Sequence, residues 1–419
     1  MQKLAALAAS MAALLLTSRD IPLTKMKTTH TIKVIAAAVA LFAGASMAAD
    51  TDGFEFHGYT RGGPILNYDN VKGGLTLGGD LQKYRLGNEG DNGIEIDLIK
   101  NFEAAGMKWK IHYMPTKWAD GAFGTNQAFV EMSGLPFAPE AKVWAGQRRL
   151  RIQDVHIVDT ILMNYGDTQG AGVTDISVGG AKLGLGVFTG DTFDKLMPTG
   201  VKATRLNADI SEIKTNTDGA LRVLLTTVSG SGLAGGNTGN GISVSHNQAN
   251  FLVKGMTHSL FLQSSSGHAR IDGEFQSIDG TTSGMSVTRI ADSLNWQSGA
   301  FGGQTSLSYQ TNKVDGTDVT TRDTSVGGRI SYAFANNFKL LAEAGFTSRQ
   351  APTGDQKLNK FTIAPTFSVG SDFWSRPEVR LYVTQANWND AAAAANSSTF
   401  GAGGKTSTNI VGVQYEVWW

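Results

Sequence analysis

The feature that most constrains this chain is a two-residue alternation that sorts its charges. In the last segment Val411, Val413, Tyr415, Val417 and Trp419 fall on one face of an extended strand. Gly412, Gln414, Glu416 and Trp418 fall on the other, because successive side chains of a strand point to opposite sides. GIEIDLIK sets Ile94, Ile96 and Leu98 against Glu95 and Asp97. AGMKWKIHYMPTKW sets Met107, Trp109, Ile111 and Tyr113 against Lys108, Lys110, His112 and Trp118. WSRPEVRLYVTQ sets Val379, Leu381 and Val383 against Trp374, Arg376, Glu378, Arg380 and Tyr382. Near the start, Phe54 and Phe56 oppose Glu55, His57, Tyr59 and Arg61. A soluble sandwich would turn the apolar face inward and the charges to water. A wide membrane barrel turns the apolar face to lipid and the charges to a wet lumen. Periodicity alone does not separate the two.

The ends of the chain do. Two apolar runs, 4–16 and 34–45, are too short for spanning helices. The second follows Lys27 and Lys33, continues through IKVIAAAVALFAGA and ends in the small residues Ser46-Met47-Ala48. That is the layout of a secretory signal. Residues 1–48 are expected to be a leader cleaved after Ala48, with the signal peptide at 26–48 starting from Met26 and residues 1–25 an upstream extension. The competing reading is a pair of membrane helices. Of 36 basic and 36 acidic residues, the leader holds five basic and one acidic, leaving 31 against 35 and a net charge of −4. Bulk charge therefore argues against a nucleic-acid partner. With no cysteine, disulfides do not hold an exported fold together. Glycine is abundant at 51 and proline scarce at 9, and no segment after residue 50 reads as a useful amphipathic helix. Export, length and an alternating strand ending in aromatics favour an all-β, transmembrane antiparallel β-barrel, one domain over 49–419. Further strands are expected at 175–189, 220–229, 251–263, 270–277, 286–297, 302–312, 325–334, 339–349 and 360–369.

Several strings, in order along the chain, carry a likeness: FHGYTRGG at 56–63, KYRLGNEG at 83–90, VWAGQR at 143–148, DVHIVD at 154–159, WSRPEVRLYVTQANW at 374–388 and the terminal EVWW. They resemble the maltoporin (LamB-type) carbohydrate porin family of bacterial outer membranes, with its sucrose-porin relatives. The resemblance implies a bacterial outer-membrane channel of about 18 strands with an inward-folded constriction loop. It implies passive sugar diffusion along a row of aromatics, the greasy slide, flanked by charged residues. Aromatic planes accept the apolar faces of sugar rings, and ionised groups exchange hydrogen bonds with their hydroxyls. Many weak contacts in series let the solute both enter and leave. The implied partners are small saccharides, the lipid bilayer, two further copies in a homotrimer and a periplasmic sugar-binding protein.

By this resemblance Tyr59, Trp374 and Trp418 match slide aromatics, and their alternation places each on a polar face. Trp118 matches a loop tryptophan that reaches a neighbouring subunit's channel, and Phe261 is the slide candidate from the middle of the chain. Arg61, Arg85, Glu95, Asp154, His156 and Asp159 match the polar track and constriction, joined by Arg149 and Arg151 of QRRLR. The chain also departs from the family. Gly93 stands where a slide tyrosine is expected and Ile161 where a constriction tyrosine is. Asn126 and Ile152 replace two arginines, and the first-loop disulfide is missing. A preference for long malto-oligosaccharides is thereby weakened, and a general or differently selective porin is the alternative. A structural or adhesive barrel would want longer outer loops.

Other motifs carry less. Two carboxylates and one imidazole in DVHIVD are too few for zinc and match none of its usual spacings, so no metal or cofactor is expected. Trp374 and Trp418 could instead belong to an interfacial belt, but belt aromatics take the lipid face. Gly230-Ser-Gly232-Leu-Ala-Gly235 spells GxGxxG, yet GGNTGNG follows and cannot open a helix, so the segment reads as a loop. A barrel hydrolase using His57, His112 or His156 is the remote enzymatic reading. The chain lacks a nucleophile elbow or a Ser-His-Asp arrangement, so no enzyme is expected.

Overall fold

The computed structural model describes residues 53–66, 73–190, 193, 197–401 and 404–419, and the expected leader lies outside them. The described residues form β1 (Phe54–Gly62), β2 (Gly93–Ala104), β3 (Met107–Trp118), β4 (Gly124–Ser133), β5 (Lys142–Arg148), β6 (Arg151–Val155), β7 (Thr160–Asn164), β8 (Thr168–Val178), β9 (Ala181–Thr189) and β10 (Lys202–Lys214). They continue with β11 (Gly219–Ser231), β12 (Thr238–Ala249), β13 (Met256–Gly267), β14 (Met285–Ser298), β15 (Phe301–Val314), β16 (Thr320–Ala335), β17 (Phe338–Ala351), β18 (Gly354–Ser368), β19 (Glu378–Trp388) and β20 (Ser407–Trp418). Two short helices, α1 (Asp390–Ala395) and α2 (Ser397–Phe400), sit between β19 and β20.

All but β6 and β7 belong to one 18-stranded antiparallel sheet, and β1 pairs with β20 to close it into a barrel. Closure leaves no open strand edge, which the interior of a bilayer would not tolerate. The outer and inner faces divide as the alternation requires. Leu206, Leu307 and Val383 are about half exposed (51, 53 and 52%), while their chain neighbours Arg205, Ser306 and Thr384 are at 0, 2 and 0%. One rim carries tight turns such as 105–106, 179–180, 299–300 and 336–337. The other carries the long connections 63–92, 149–167, 268–284 and 389–406.

Three of those connections turn into the barrel. Segment 73–92 lies along β15–β19: the Leu86 amide donates to Glu343 Oε1 (2.9 Å), Lys360 Nζ to the Leu86 carbonyl (2.6 Å) and Thr384 Oγ1 to the Gly87 carbonyl (3.1 Å). The ring of Tyr84 rests on the inner wall where Gly327 pairs with Gly345. A Cβ on Gly345 would lie 2.0 Å from that ring. The second connection folds as the β6–β7 hairpin. Its Ile157 amide donates to Gln304 Oε1 (3.2 Å), and Gln263 Nε2 donates to its Leu162 carbonyl (2.6 Å). The third, 268–276, reverses at Asp272-Gly273. There Asn207 Nδ2 donates to the Gly273 carbonyl (3.0 Å), and the Asn164 amide of the hairpin donates to the Asp272 carbonyl (2.6 Å). The three segments thus occupy the β10–β19 side of the lumen. The open space lies against β1–β4 and β20.

Some expected strands need correction. Segment 175–189 is two strands broken at Gly179-Gly180, and β4, β5, β10 and β12 are additional barrel strands. Segment 270–277 is the inward reversal rather than a strand: Gly273 sits at φ +105° and its amide donates back to the Arg270 carbonyl (3.1 Å). Phe251 and the residues to Gly255 form the turn that precedes β13.

Candidate functional site

The open side of the lumen is a cavity of about 790 Å³. Strands β1, β2, β3 and β20 supply one wall and the β6–β7 hairpin the other. Tyr59 and Trp418 are register partners across the β1–β20 seam. The Trp118 ring lies 6.1 Å from that of Tyr59, on its far side. Beyond Trp418 come His156 (ring centroids 5.9 Å apart, edge-on) and then Trp374, 5.2 Å further. Trp118, Tyr59, Trp418, His156 and Trp374 therefore border one space as a row, joined by ring contacts except between Tyr59 and Trp418, which strand register places side by side. Trp374 reaches it from the 369–377 turn, not from a strand as its alternation implied. Trp118 is the last residue of β3, and its ring lines the cavity of its own chain.

Interleaved with the rings is a network of ion pairs. The Tyr59 hydroxyl donates to Glu416 Oε1 (2.9 Å) and accepts from Arg85 Nη2 (2.8 Å). Arg85 also donates to Glu416 (2.7 Å) and Glu89 (3.0 Å). Arg61 holds Glu89 (2.5 Å) and Asp91 (3.0 Å) and comes within 3.5 Å of Asp159. Arg149 forms a two-pronged contact with Glu95 (2.9 and 3.0 Å). Such forked pairs fix both groups in place. Arg376 donates to Glu416 (3.0 Å) and stacks its guanidinium over Trp418 at 4.3 Å.

The hairpin tip carries the remaining candidates. An arginine only donates, so the contact from Arg85 Nη1 to His156 Nδ1 (3.0 Å) assigns the imidazole proton to Nε2, which has no hydrogen-bond partner. Burial, reinforced by Arg85, lowers the His156 pKa well below its ordinary value, so the ring is neutral. Burial also pushes Asp159 up, but Arg85, Lys83 and Arg61 outweigh it and hold the carboxyl at about 2. Asp154 opens onto the cavity, and burial of its surroundings raises its pKa. Among the described residues Arg151 and Asp154 form no ion pair, so a cation and an acid on one hairpin strand remain available to a solute.

Twelve of the thirteen expected site residues therefore border one cavity. Phe261 does not. It is fully buried in the cluster that includes Val155, Leu162 and Met163, beneath the hairpin. Its side chain points inward, but what meets it is the apolar underside of an inward-folded segment. The sequence reading passed over Asp91, Gln153, Thr160 and Asp167, which also line the space, and Glu89 and Glu416, which organise its arginines. Glu89 lay within KYRLGNEG, and Glu416 carried the same parity as Trp418. Of the positions that depart from the family, Asn126, Ile152 and Ile161 border the cavity.

A family model described as LamB porin matches residues 54–419. The chain belongs to the LamB porin family. This LamB porin is an outer-membrane channel of sugar-porin type and not an enzyme. It is 28% identical to the maltoporin of Vibrio cholerae serotype O1 (strain ATCC 39315 / El Tor Inaba N16961), over 93% of this chain and 99% of that one. It is 26% identical to the maltoporin of Photobacterium profundum, over the same shares of both chains. Solved structures similar to it include Pseudomonas aeruginosa OpdQ (TM-score 0.52, 8% identity, covering 88% of this chain and 99% of that one) and Acinetobacter baumannii OccAB1 (TM-score 0.51, 11% identity, covering 88% and 97%). At such identities they support the barrel fold alone.

Proposed function

We propose that this porin conducts small saccharides, maltose-like or of similar size, by facilitated diffusion through the β1–β4/β20 side of its barrel. The observation that carries the reading is the row Trp118, Tyr59, Trp418, His156 and Trp374 interleaved with arginine–carboxylate pairs around one cavity. Ring faces suit the C–H surfaces of a pyranose. The unpaired Arg151 and Asp154 suit its hydroxyls. The maltoporin relatives favour the same class of solute. The slide roles of Tyr59, Trp118, Trp374 and Trp418 and the polar-track roles of the hairpin residues belong to this proposal. So do assembly as a homotrimer and hand-over to a periplasmic sugar-binding protein. Gly93 and Ile161 favour short sugars over long ones, and they motivate the second reading, a general diffusion porin.

The test is conductance across planar bilayers titrated with glucose, maltose, maltotriose and sucrose. Saturable closure by one or more sugars supports the proposal and ranks the solutes, and steps in threes support the trimer. Openings indifferent to every sugar favour the general porin.

A further inference from the structure

Gly93 and Trp118 face each other in register across β2 and β3. A Cβ built on Gly93 would lie 2.0 Å from Cε3 and 2.1 Å from Cζ3 of the indole. The ring therefore lies directly on the bare backbone of residue 93, a place that only glycine leaves open. From there it extends toward Tyr59, and the Arg61 guanidinium sits 4.8 Å from its ring centre. The barrel uses the same device on its opposite wall, where the Tyr84 ring lies on Gly327 and Gly345. There the ring is sealed at 2% exposure and serves as an anchor. Trp118 differs because it remains half-buried and borders the cavity.

We infer that Gly93 and Trp118 of the same chain form one specificity-determining unit of the solute path. The glycine opens the wall so that the indole of its own chain, rather than a neighbouring copy's, supplies the first aromatic face of the row. This rests on the saccharide reading above and adds where that face comes from. The channel's aromatic row is then complete within a single barrel. Position 93 becomes a control point, because any side chain there displaces the indole.

The experiment compares wild type, G93A, G93Y, W118A and the double variant G93Y/W118A in two measurements. One is sugar-dependent closure in bilayers and the other the heat-unfolding midpoint in detergent. W118A is expected to raise the half-saturating sugar concentration about two- to tenfold, the size of one aromatic contact. G93A is expected to move it in the same direction although it adds only a methyl group. G93Y alone is expected to lower the unfolding midpoint. Adding W118A to G93Y is expected to restore the midpoint and bring half-saturation back to within about twofold of wild type. If G93Y fails to insert, G93A carries the comparison. A G93A or G93Y variant that keeps the wild-type midpoint and binds sugar as well or better would overturn the inference. So would changes at the two positions that simply add. A wild-type channel indifferent to sugar overturns the saccharide reading instead, and the reciprocal effect on the unfolding midpoint still decides whether the unit exists.

Discussion

Tyr59 and Trp418 meet the solute path from adjoining strands, yet they are held differently. The Tyr59 hydroxyl is tied between Glu416 and Arg85, whereas Trp418 is clamped by the Arg376 guanidinium. Trp418→Ala should therefore raise sugar half-saturation about two- to tenfold. Tyr59→Phe keeps the ring face and should cost less than about threefold in the same bilayer titration. Equal losses would mean that hydrogen bonding, not the ring face, dominates at Tyr59. His156 gives a pH dependence whose sign is fixed. Its pKa in the folded barrel is depressed, while in the unfolded chain it lies at about 6.5. Below about 6.5 the unfolded state takes up a proton that the folded state refuses, so stability that is full above this pH is lost as pH falls. The unfolding midpoint should drop between pH 7 and 5, and His156→Gln should flatten that part of the slope; an unchanged slope would remove His156 from the account. At this scale the sequence was most informative where alternation applied. Tyr59, Arg61, Glu95 and Trp418 could be placed inside from parity alone. Phe261 could not be resolved, because parity says which way a side chain points and not what covers it.

Among the elements, the β6–β7 hairpin and the 268–276 reversal hold each other in place through Asn164 and the Asp272-Gly273 turn. Gly273 has φ +105°, and a Cβ there would lie 2.3 Å from the Asn164 carbonyl oxygen, a backbone atom that cannot swing aside. Gly273→Ala should strain the contact by about 1–3 kcal/mol and unseat the hairpin. Single-channel conductance should rise and sugar closure weaken together; unchanged values of both would mean that the two segments are independent. Elements were legible in proportion to their contrast. β18 and β19 carry outward Phe361, Ile363, Phe367, Val379, Leu381 and Val383 beside inward Thr362, Thr366, Arg380 and Thr384. In β12 only Ile242 and Val244 stand out among glycines, serines and asparagines, so its period is faint. In β10 the outward set mixes Thr204 and Ala208 with Leu206 and Ile210, and the contrast again falls. The 270–277 segment misled because Ile271 and Phe275 look like strand residues, although Asp272-Gly273 between them is a turn signal.

For the whole barrel the weak line is the seam. β1 and β20 share four register pairs, whereas β14 and β15 share fourteen. Trp419 extends the seam by exchanging backbone hydrogen bonds with Gly58 (3.2 and 3.3 Å), and its ring leans on Phe56 at 5.5 Å. Trp419→Ala should lower the unfolding midpoint by an amount matching about 0.5–1.5 kcal/mol and slow closure of the barrel during refolding into detergent or lipid. A variant that closes and unfolds like wild type would show that the ladder alone secures the seam. The strands were readable from the chain because alternation is local, and membrane placement because the export-signal layout and the aromatic ends favoured a barrel over a soluble sandwich. The filling of the lumen was not, since it depends on which distant wall each long connection meets. That filling separates the frame from the aperture. The circumference belongs to eighteen strands, but the bore belongs to three connections lying along β10–β19. Substitutions on the inner face of that wall should be felt as changes in folding, and changes of length or sequence in the connections as changes in what passes. A lineage can therefore alter its diet without altering its architecture.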